Sequence, residues 1–178
     1  VASSSPNVAI ELCVYSYENF ERWRGKADEF LVYVYNWGSY HEMAFGPKST
    51  PGMIARQRGR IINLASIAGL AGSPPGMETI AYNTSKGALV MLVKQHAGEL
   101  AAHGICVNGI APTVVATEQA RAWFEDKERY ARLLERIPLG RVAQPADIAG
   151  AALFFASGAS DFVTGQVLYL DGGLTATQ

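Results

Sequence analysis

From Gly59 onward the sequence alternates between short β-branched runs and longer segments with apolar residues at helical spacing. The short runs predict strands at Arg60–Ala65, Ile105–Ala111 and Val167–Leu170, and the longer segments predict helices at Ala81–Ala102, Glu118–Arg136 and Pro145–Ala156. Parallel strands need a crossover between them, and a helix usually supplies it. The alternation therefore predicts an α/β fold in which helices cover a parallel sheet.

Composition limits the class of protein. The 178 residues suffice for one domain, 49% of them are hydrophobic, and the formal net charge is −1. A nearly neutral chain is not expected to bind nucleic acid or an anionic membrane, and no apolar run reaches the roughly 18 residues of a membrane span. Two cysteines, Cys13 and Cys106, and three histidines predict neither a disulfide framework nor a metal site. We expect a soluble, cytoplasmic enzyme or subunit that binds a small molecule.

The first 50 residues differ from the rest. They hold 10 of the 18 aromatic residues but only 3 of the 18 glycines. The pattern there predicts a strand at Ala9–Tyr17 and a helix at Glu18–Tyr35.

A tyrosine and a lysine stand four residues apart in Tyr82-Asn-Thr-Ser-Lys86, at the start of the long predicted helix. This spacing places both side chains on one helix face. An ammonium near a phenol favours the phenolate, so it lowers the tyrosine pKa from its reference value near 10 and suits the residue to general acid/base catalysis. The same spacing also occurs in helices without any catalytic role.

Ser66 directly follows the strand Arg60–Ala65. Ligands of open parallel sheets bind beyond the carboxyl ends of the strands, where a serine hydroxyl could donate to a substrate carbonyl. The alternative is a loop serine that caps a turn.

Several segments together resemble the motifs of the classical short-chain dehydrogenases/reductases, in family order. They are Gly59–Gly69 (GRIINLASIAG), Tyr82–Lys86 (YNTSK), Gly104–Pro112 (GICVNGIAP), Pro138–Arg141 with Pro145–Ile148, and Thr164–Gln166 with Asp171–Gly173. The match covers residues 51–178, whereas residues 1–50 match poorly. The resemblance implies a single domain over residues 1–178 with a Rossmann-type, doubly wound parallel sheet whose N-terminal half is atypical or incomplete.

The resemblance also implies roles for individual residues. Tyr82 would be the general acid/base, Lys86 would assist it and bind the nicotinamide ribose, and Ser66 would polarise the substrate carbonyl. An asparagine of the family's preceding helix corresponds to Asn36, for which a turn or helix-end role stays equally open. Asn108 is interpreted as structural.

The segment after the second predicted strand resembles the family's cofactor-binding PGxxxT. It makes Pro112, Val115 and Thr117 expected cofactor contacts, but Thr113 replaces the usual glycine and leaves the local backbone open. Residues around Pro74–Thr79 form an insertion that would shape the substrate pocket. The region containing Trp123 would either close over the substrate or form a solvated helix.

The family's N-terminal glycine fingerprint, which cradles a pyrophosphate, does not occur in this sequence. Residues 1–50 are also too few for the four strands and crossovers of the family's first half. We therefore expect a longer native polypeptide, with part of Val1–Pro51 discontinuous or incorrectly assigned.

The predicted function is an NAD(P)-dependent oxidoreductase that interconverts a carbonyl and a secondary alcohol. The C-terminal half is most similar to enzymes of sugar acids and polyols, such as gluconate 5-dehydrogenases, and the sequence does not distinguish NAD from NADP. A 3-oxoacyl-carrier-protein reductase shares every motif, and a non-catalytic binding subunit is a third alternative. The resemblance further implies a homotetramer whose interfaces use the Tyr82 helix and the strand Val167–Leu170.

Overall fold

The computed structural model describes residues 50–73 and 79–177. Its helices and strands follow one another as α1 (Thr50–Arg56), β1 (Gly59–Leu64), α2 (Ile80–Leu100), β2 (Ile105–Pro112), α3 (Arg121–Glu125), α4 (Lys127–Glu135), α5 (Pro145–Ala156) and β3 (Val167–Leu170). The strand predicted at Ala9–Tyr17 and the helix predicted at Glu18–Tyr35 lie outside the described residues.

The three strands form one parallel sheet in the order β1-β2-β3. Gly59 pairs with Ile105 at one end of the first ladder and Leu64 with Ile110 at the other. Ala65 extends this ladder, because its N–H donates to the Ile110 carbonyl at 2.7 Å. Pro112 pairs with Leu170 in the second ladder, so β2 and β3 end side by side. The predicted parallel α/β architecture is confirmed.

Each face of the sheet carries its own apolar core, as expected when successive side chains of a strand point to opposite faces. Toward α1 and α2 the buried residues are Met53, Ile61, Ala97, Ile105 and Val107. Toward α5 they are Ile62, Ile110, Ala151, Phe155 and Ala156. The two cores fix the helices on opposite faces of the sheet. Because β1 and β2 are parallel, their carboxyl ends lie at one edge.

Helix α2 ends at Leu100, two residues before the predicted bound at Ala102. After Leu100 one turn of 3₁₀-helix, Ala101–His103, leads to Gly104, which has a left-handed backbone with φ 67°. A Cβ on Gly104 would also lie 2.4 Å from the Gln57 carbonyl oxygen. Glycine is therefore required at this position by both its conformation and its neighbour.

The prediction of a single helix at Glu118–Arg136 is wrong. The segment instead forms a 3₁₀ turn at Glu118–Ala120, followed by α3 and α4. Asp126 separates the two α-helices because its backbone is extended (φ −87°, ψ 97°) and its side chain accepts a hydrogen bond from the Arg129 N–H at 2.9 Å. An aspartate at this position caps the second helix rather than continuing the first.

Helix α5 is anchored at its first turn by Asp147. Its carboxylate accepts from the Gln144 N–H at 2.7 Å and from both terminal nitrogens of Arg141, at 2.7 and 3.0 Å. The hydrogen bond from Arg141 is the main reason that the pKa of Asp147 falls to about 2. The predicted bounds of this helix, and those of β3, are confirmed.

Candidate functional site

Polar and main-chain groups collect at the edge where the parallel strands end. Ser66 follows β1, the segment Thr113–Thr117 follows β2, and Asp171 follows β3. The first turns of α2 lie at the same edge, since the Lys86 ammonium donates a 3.0 Å hydrogen bond to the carbonyl of Leu64, the last residue of β1. This is the edge at which open parallel sheets bind ligands.

Ser66 begins the 3₁₀ turn Ile67–Gly69 and is 8% exposed. Its backbone is extended, and its Oγ accepts a hydrogen bond from the Ala68 N–H at 3.2 Å. The turn-capping role considered from the sequence is therefore present. It uses Oγ as an acceptor, so the hydroxyl hydrogen is still able to donate to another group.

Tyr82 and Lys86 stand one helical turn apart on α2, as the spacing predicts. The Lys86 ammonium lies 5.7 Å from the centroid of the Tyr82 ring. Lys86 is only 3% exposed, whereas Tyr82 is half-buried. A buried ammonium must be compensated by hydrogen bonds and favourable charge interactions, and the Leu64 carbonyl supplies one of these.

Gly69 joins the serine turn to this helix. A Cβ at position 69 would lie 2.5 Å from the Lys86 carbonyl oxygen, 2.7 Å from its carbon and 3.0 Å from the Gly87 nitrogen. These are backbone atoms of α2, so they cannot rotate away. The contact sets how closely the turn that begins at Ser66 approaches the helix that carries Tyr82 and Lys86.

The segment after β2 is tied down by its main chain. Thr113 N–H donates to the Leu170 carbonyl at 3.2 Å, and Val115 forms a parallel bridge with Ala143. Thr117 Oγ1 lies 3.5 Å from the Val115 carbonyl. Among the non-glycine residues that the structure describes, only Gln57 has a positive φ. Thr113 therefore needs no glycine conformation, which resolves the question that its sequence left open.

Asn108 of β2 has a structural environment. It is 1% exposed, its amide nitrogen donates to the Val163 carbonyl at 2.8 Å, and its amide oxygen accepts from the Gln166 N–H at 3.1 Å. These bonds hold the chain that leads into β3, in agreement with the structural interpretation from the sequence.

Two predicted parts of the site lie outside the described residues, namely Asn36 and most of the insertion, residues 74–78. The ends of the insertion are described and are held by side chains that sequence reasoning missed. Thr79 Oγ1 donates to Ser73 Oγ at 2.6 Å, Ser73 Oγ donates to Asn83 Oδ1 at 3.2 Å, and Asn83 Nδ2 donates to the Ala71 carbonyl at 3.1 Å. The small polar residues on both sides of Pro74-Pro75 were the signal that could have indicated this bracing.

A third apolar cluster forms one wall beside the serine turn. Its buried members are Leu133, Ile137, Val142 and Leu174, and the residues packed against them include Ile67, Val114, Ala116, Trp123, Phe124 and Tyr130. Ile67 is the residue after Ser66, and Val114 and Ala116 belong to the segment after β2. Helices α3 and α4 are thus packed onto both chain segments that border the candidate site.

The loop after β3 joins this wall through Leu174, a buried member of the cluster. The Asp171 carboxylate accepts hydrogen bonds from the Gly173 N–H at 3.0 Å and the Thr175 N–H at 2.8 Å, and also from the Thr175 hydroxyl. Burial by itself would raise the pKa of Asp171, but these hydrogen bonds outweigh it and the pKa is lowered. Gly172, with φ 63°, then passes so close to Ile137 that a Cβ would lie 2.7 Å from its Cγ2.

The described part of the chain contains neither a metal-binding cluster nor a membrane-spanning helix. No group of three or more His, Cys, Asp or Glu side chains in it could hold a metal ion. None of its helices combines the length and the apolar character that crossing a membrane requires.

Known proteins match the same part of the chain. A family model described as enoyl-(acyl carrier protein) reductase matches residues 36–175. The 2-dehydro-3-deoxy-D-gluconate 5-dehydrogenase of Bacillus subtilis is 45% identical over 121 residues, which are 68% of this chain and 46% of the relative. The inactive 2-(S)-hydroxypropyl-CoM dehydrogenase 2 of Xanthobacter autotrophicus is 45% identical over 129 residues, which are 70% and 55% of the two chains.

A solved structure gives the same result for the fold. The gluconate 5-dehydrogenase of Burkholderia cenocepacia, in complex with NADP and tartrate, matches with a TM-score of 0.68 and 42% identity, over 71% of this chain and 49% of the other. This likeness confirms the predicted Rossmann-type fold. The chain spans about half the length of the curated relatives it matches.

Proposed function

The chain belongs to the short-chain dehydrogenase/reductase family, and from this membership we propose that it is an NAD(P)-dependent oxidoreductase that interconverts a carbonyl and a secondary alcohol on a sugar acid or polyol. One observation carries the proposal: Lys86 is buried and bonded to the end of β1, and it stands beside Tyr82 on the helix against which the Ser66 turn packs. The substrate class is supported by relatives that are named for gluconate derivatives and galactitol.

Tyr82 handles the proton in this proposal. During reduction its phenol O–H donates to the oxygen of the substrate carbonyl, and during oxidation its phenolate takes the proton of the alcohol. The Lys86 ammonium, one helical turn away, stabilises that phenolate by its charge. Because Lys86 is fixed to the Leu64 carbonyl, its charge stays at the same place throughout the proton transfer.

Ser66 orients the carbonyl. Its Oγ is engaged as the acceptor from Ala68, so its hydrogen is directed to a different partner, and the substrate oxygen is the partner that we propose. A donor held in place before the reaction stabilises the charge that develops on that oxygen.

The nicotinamide cofactor, when bound, supplies or accepts the hydride. The described residues fit its nicotinamide end, because an ammonium, a phenol and the main chain after β2 gather at one sheet edge. We propose that Tyr82, Lys86, Pro112, Val115 and Thr117 contact it. NADP in three of the similar solved structures supports NADP as the cofactor of this chain.

The decisive experiment combines cofactor binding with turnover. NADH and NADPH are titrated into the protein while the fluorescence of the reduced nicotinamide is followed, and carbonyl reduction is then measured. Tyr82→Phe should lower kcat by about 10²- to 10⁴-fold while the cofactor still binds. Tyr169→Phe, on β3, is the matched control and should retain activity. A Tyr82→Phe variant with normal kcat contradicts the assignment.

Lys86→Met separates the roles of the lysine. We expect both a lower kcat and weaker cofactor binding, since one ammonium serves both. A loss of only one of these would limit Lys86 to a single role.

Two alternatives have support of their own. The description of the matching family model favours a reductase of substrates on an acyl carrier protein. A relative named as inactive favours a non-catalytic binding subunit, against which stands the joint presence of Ser66, Tyr82 and Lys86. If the protein reduces a carrier-bound 3-oxoacyl thioester and does not reduce sugar acids, the first alternative holds. If it binds the cofactor but turns over neither substrate, the second alternative holds.

We further propose a cytoplasmic homotetramer of single-domain subunits. Large apolar side chains that are exposed at the α5–β3 side of the described region, namely Leu153, Phe154, Phe162 and Leu168, support an interface there. Light scattering coupled to gel filtration tests the assembly, and Phe162→Asp should dissociate it.

A further inference from the structure

Arg129 stacks on an aromatic ring. Its guanidinium carbon lies 3.7 Å from the centroid of the Trp123 ring, and the residue is half-buried. Three other arginines hold carboxylates, in the groups Arg60–Asp161, Arg121 with Glu118 and Glu125, and Arg141–Asp147. No carboxylate within residues 50–73 and 79–177 lies within salt-bridge distance of the Arg129 guanidinium.

The position of Arg129 is fixed from two sides. Its backbone N–H donates to Asp126 Oδ1 at 2.9 Å, which places it in the first turn of α4. Its guanidinium stacks on Trp123, which packs on the apolar cluster of Leu133 and Ile137. The orientation of the arginine is therefore set before any ligand arrives.

The wall that supports Arg129 also borders the candidate site. Ile67, directly after Ser66, packs against the same apolar cluster as Trp123. Val114 and Ala116, between the expected cofactor contacts Pro112 and Thr117, do so as well. The ring that carries the cation thus packs on the same cluster as the serine turn and the segment after β2.

We propose that Arg129, held flat on Trp123, binds the carboxylate of a sugar-acid substrate while Tyr82 and Ser66 engage the carbonyl that is reduced. A guanidinium that stacks on an aromatic ring keeps its N–H groups in a plane parallel to the ring. From that plane they can donate two parallel hydrogen bonds to a carboxylate. The neutral end of a polyol offers no such acceptor. Arg129 therefore makes the enzyme select acids over polyols, and this inference rests on the proposed function.

Arg129→Met is the principal variant, and Arg132→Met is its matched control on the same helix, since Arg132 is exposed. The substrates are 5-keto-D-gluconate and the neutral ketose D-fructose, each with NADPH and NADH. For the acid, we expect KM to rise about 10- to 100-fold in Arg129→Met, as for the loss of a charge-assisted hydrogen bond. For the ketose, KM should stay within about twofold, and Arg132→Met should leave both values unchanged.

Arg129→Lys keeps the charge but loses the planar pair of donors, so it should restore part of the affinity for the acid. It also provides a conservative variant if Arg129→Met does not fold. An equal change for acid and ketose, or an unchanged KM for the acid, overturns the proposal, because a merely structural role would affect both substrates alike.

Equilibrium binding separates this inference from the proposed function. If the protein reduces neither substrate, the proposed function fails, and titration calorimetry with D-gluconate and D-glucitol still decides the role of Arg129. We expect gluconate to bind and glucitol not to bind, and we expect Arg129→Met to abolish the binding of gluconate. Gluconate binding that survives the substitution, or that does not occur in the original protein, overturns the inference.

Discussion

Adding one methyl group at Gly69 should disturb the candidate site without replacing any of its polar side chains. The Cβ of Gly69→Ala would stand 2.5 Å from the Lys86 carbonyl oxygen, whereas ordinary contact begins at 3.4 Å. The turn and the helix must therefore separate by about 0.9 Å. Because the opposing atoms are helix backbone, the turn that begins at Ser66 has to move.

The size of the effect follows from this displacement. Overpacking costs about 1–3 kcal/mol, and the lower chain entropy of unfolded alanine returns about 0.4–1 kcal/mol. We expect a net loss of about 1–2 kcal/mol in the free energy of unfolding. A shift of about 1 Å between Ser66 and Tyr82 should also lower kcat/KM by about 10²-fold.

Urea unfolding and steady-state kinetics measure the two effects separately. Gly72→Ala is the matched control, since no atom lies within 4 Å of a Cβ at that position in the same loop. It should raise the urea midpoint slightly, through the same loss of unfolded-chain entropy, and leave kcat/KM unchanged. If Gly69→Ala matches Gly72→Ala in both measurements, the close approach of turn and helix does not control the site.

Other predictions concern single positions of the fold. Gly98→Ala, on α2 with no atom within 4 Å of the added Cβ, should raise the free energy of unfolding by about 0.5–1 kcal/mol, as the urea midpoint will show. Phe155→Ala empties a site that is 2% exposed and should cost about 3–5 kcal/mol in the same assay; a loss below about 1 kcal/mol would contradict its place in the α5-side core. Asp147 has its folded pKa lowered to about 2 from 3.8, so its contribution to stability is present above pH 4 and disappears as the pH falls toward 2. The urea midpoints of the original protein and Asp147→Asn should therefore converge over that interval, and a constant difference would refute the role of the Arg141 bond.

Local sequence signals predicted the parts of the fold that depend on neighbouring residues. Pro at the first position and Gly158 after the end give the bounds of α5, and the β-branched run gives β1 to within one residue. The four-residue spacing of Tyr82 and Lys86 likewise predicts their common helix face. These features need only chain geometry within a few residues.

Features that depend on distant residues could not be predicted in this way. The bond from Lys86 to the Leu64 carbonyl spans 22 residues and exists only once β1 and α2 have packed together. The break at Asp126 was missed because the charged residues on both sides suit one long helix. The hydrogen bond from the Arg129 N–H to the Asp126 side chain is local and competes with the backbone hydrogen bonds of such a helix. The roles of the site residues stay predictions, and Asn36 lies outside the described residues.

The tether between Lys86 and the Leu64 carbonyl also determines how this amine behaves toward reagents. Only a neutral amine, through its lone pair, attacks the acyl carbon of an acylating reagent, and Lys86 presents a buried, hydrogen-bonded ammonium. Lys94 and Lys127 are exposed and should be labelled first. The slower modification of Lys86 would then report how often α2 separates from β1. The labelling rate of this one side chain therefore measures local opening of the sheet edge.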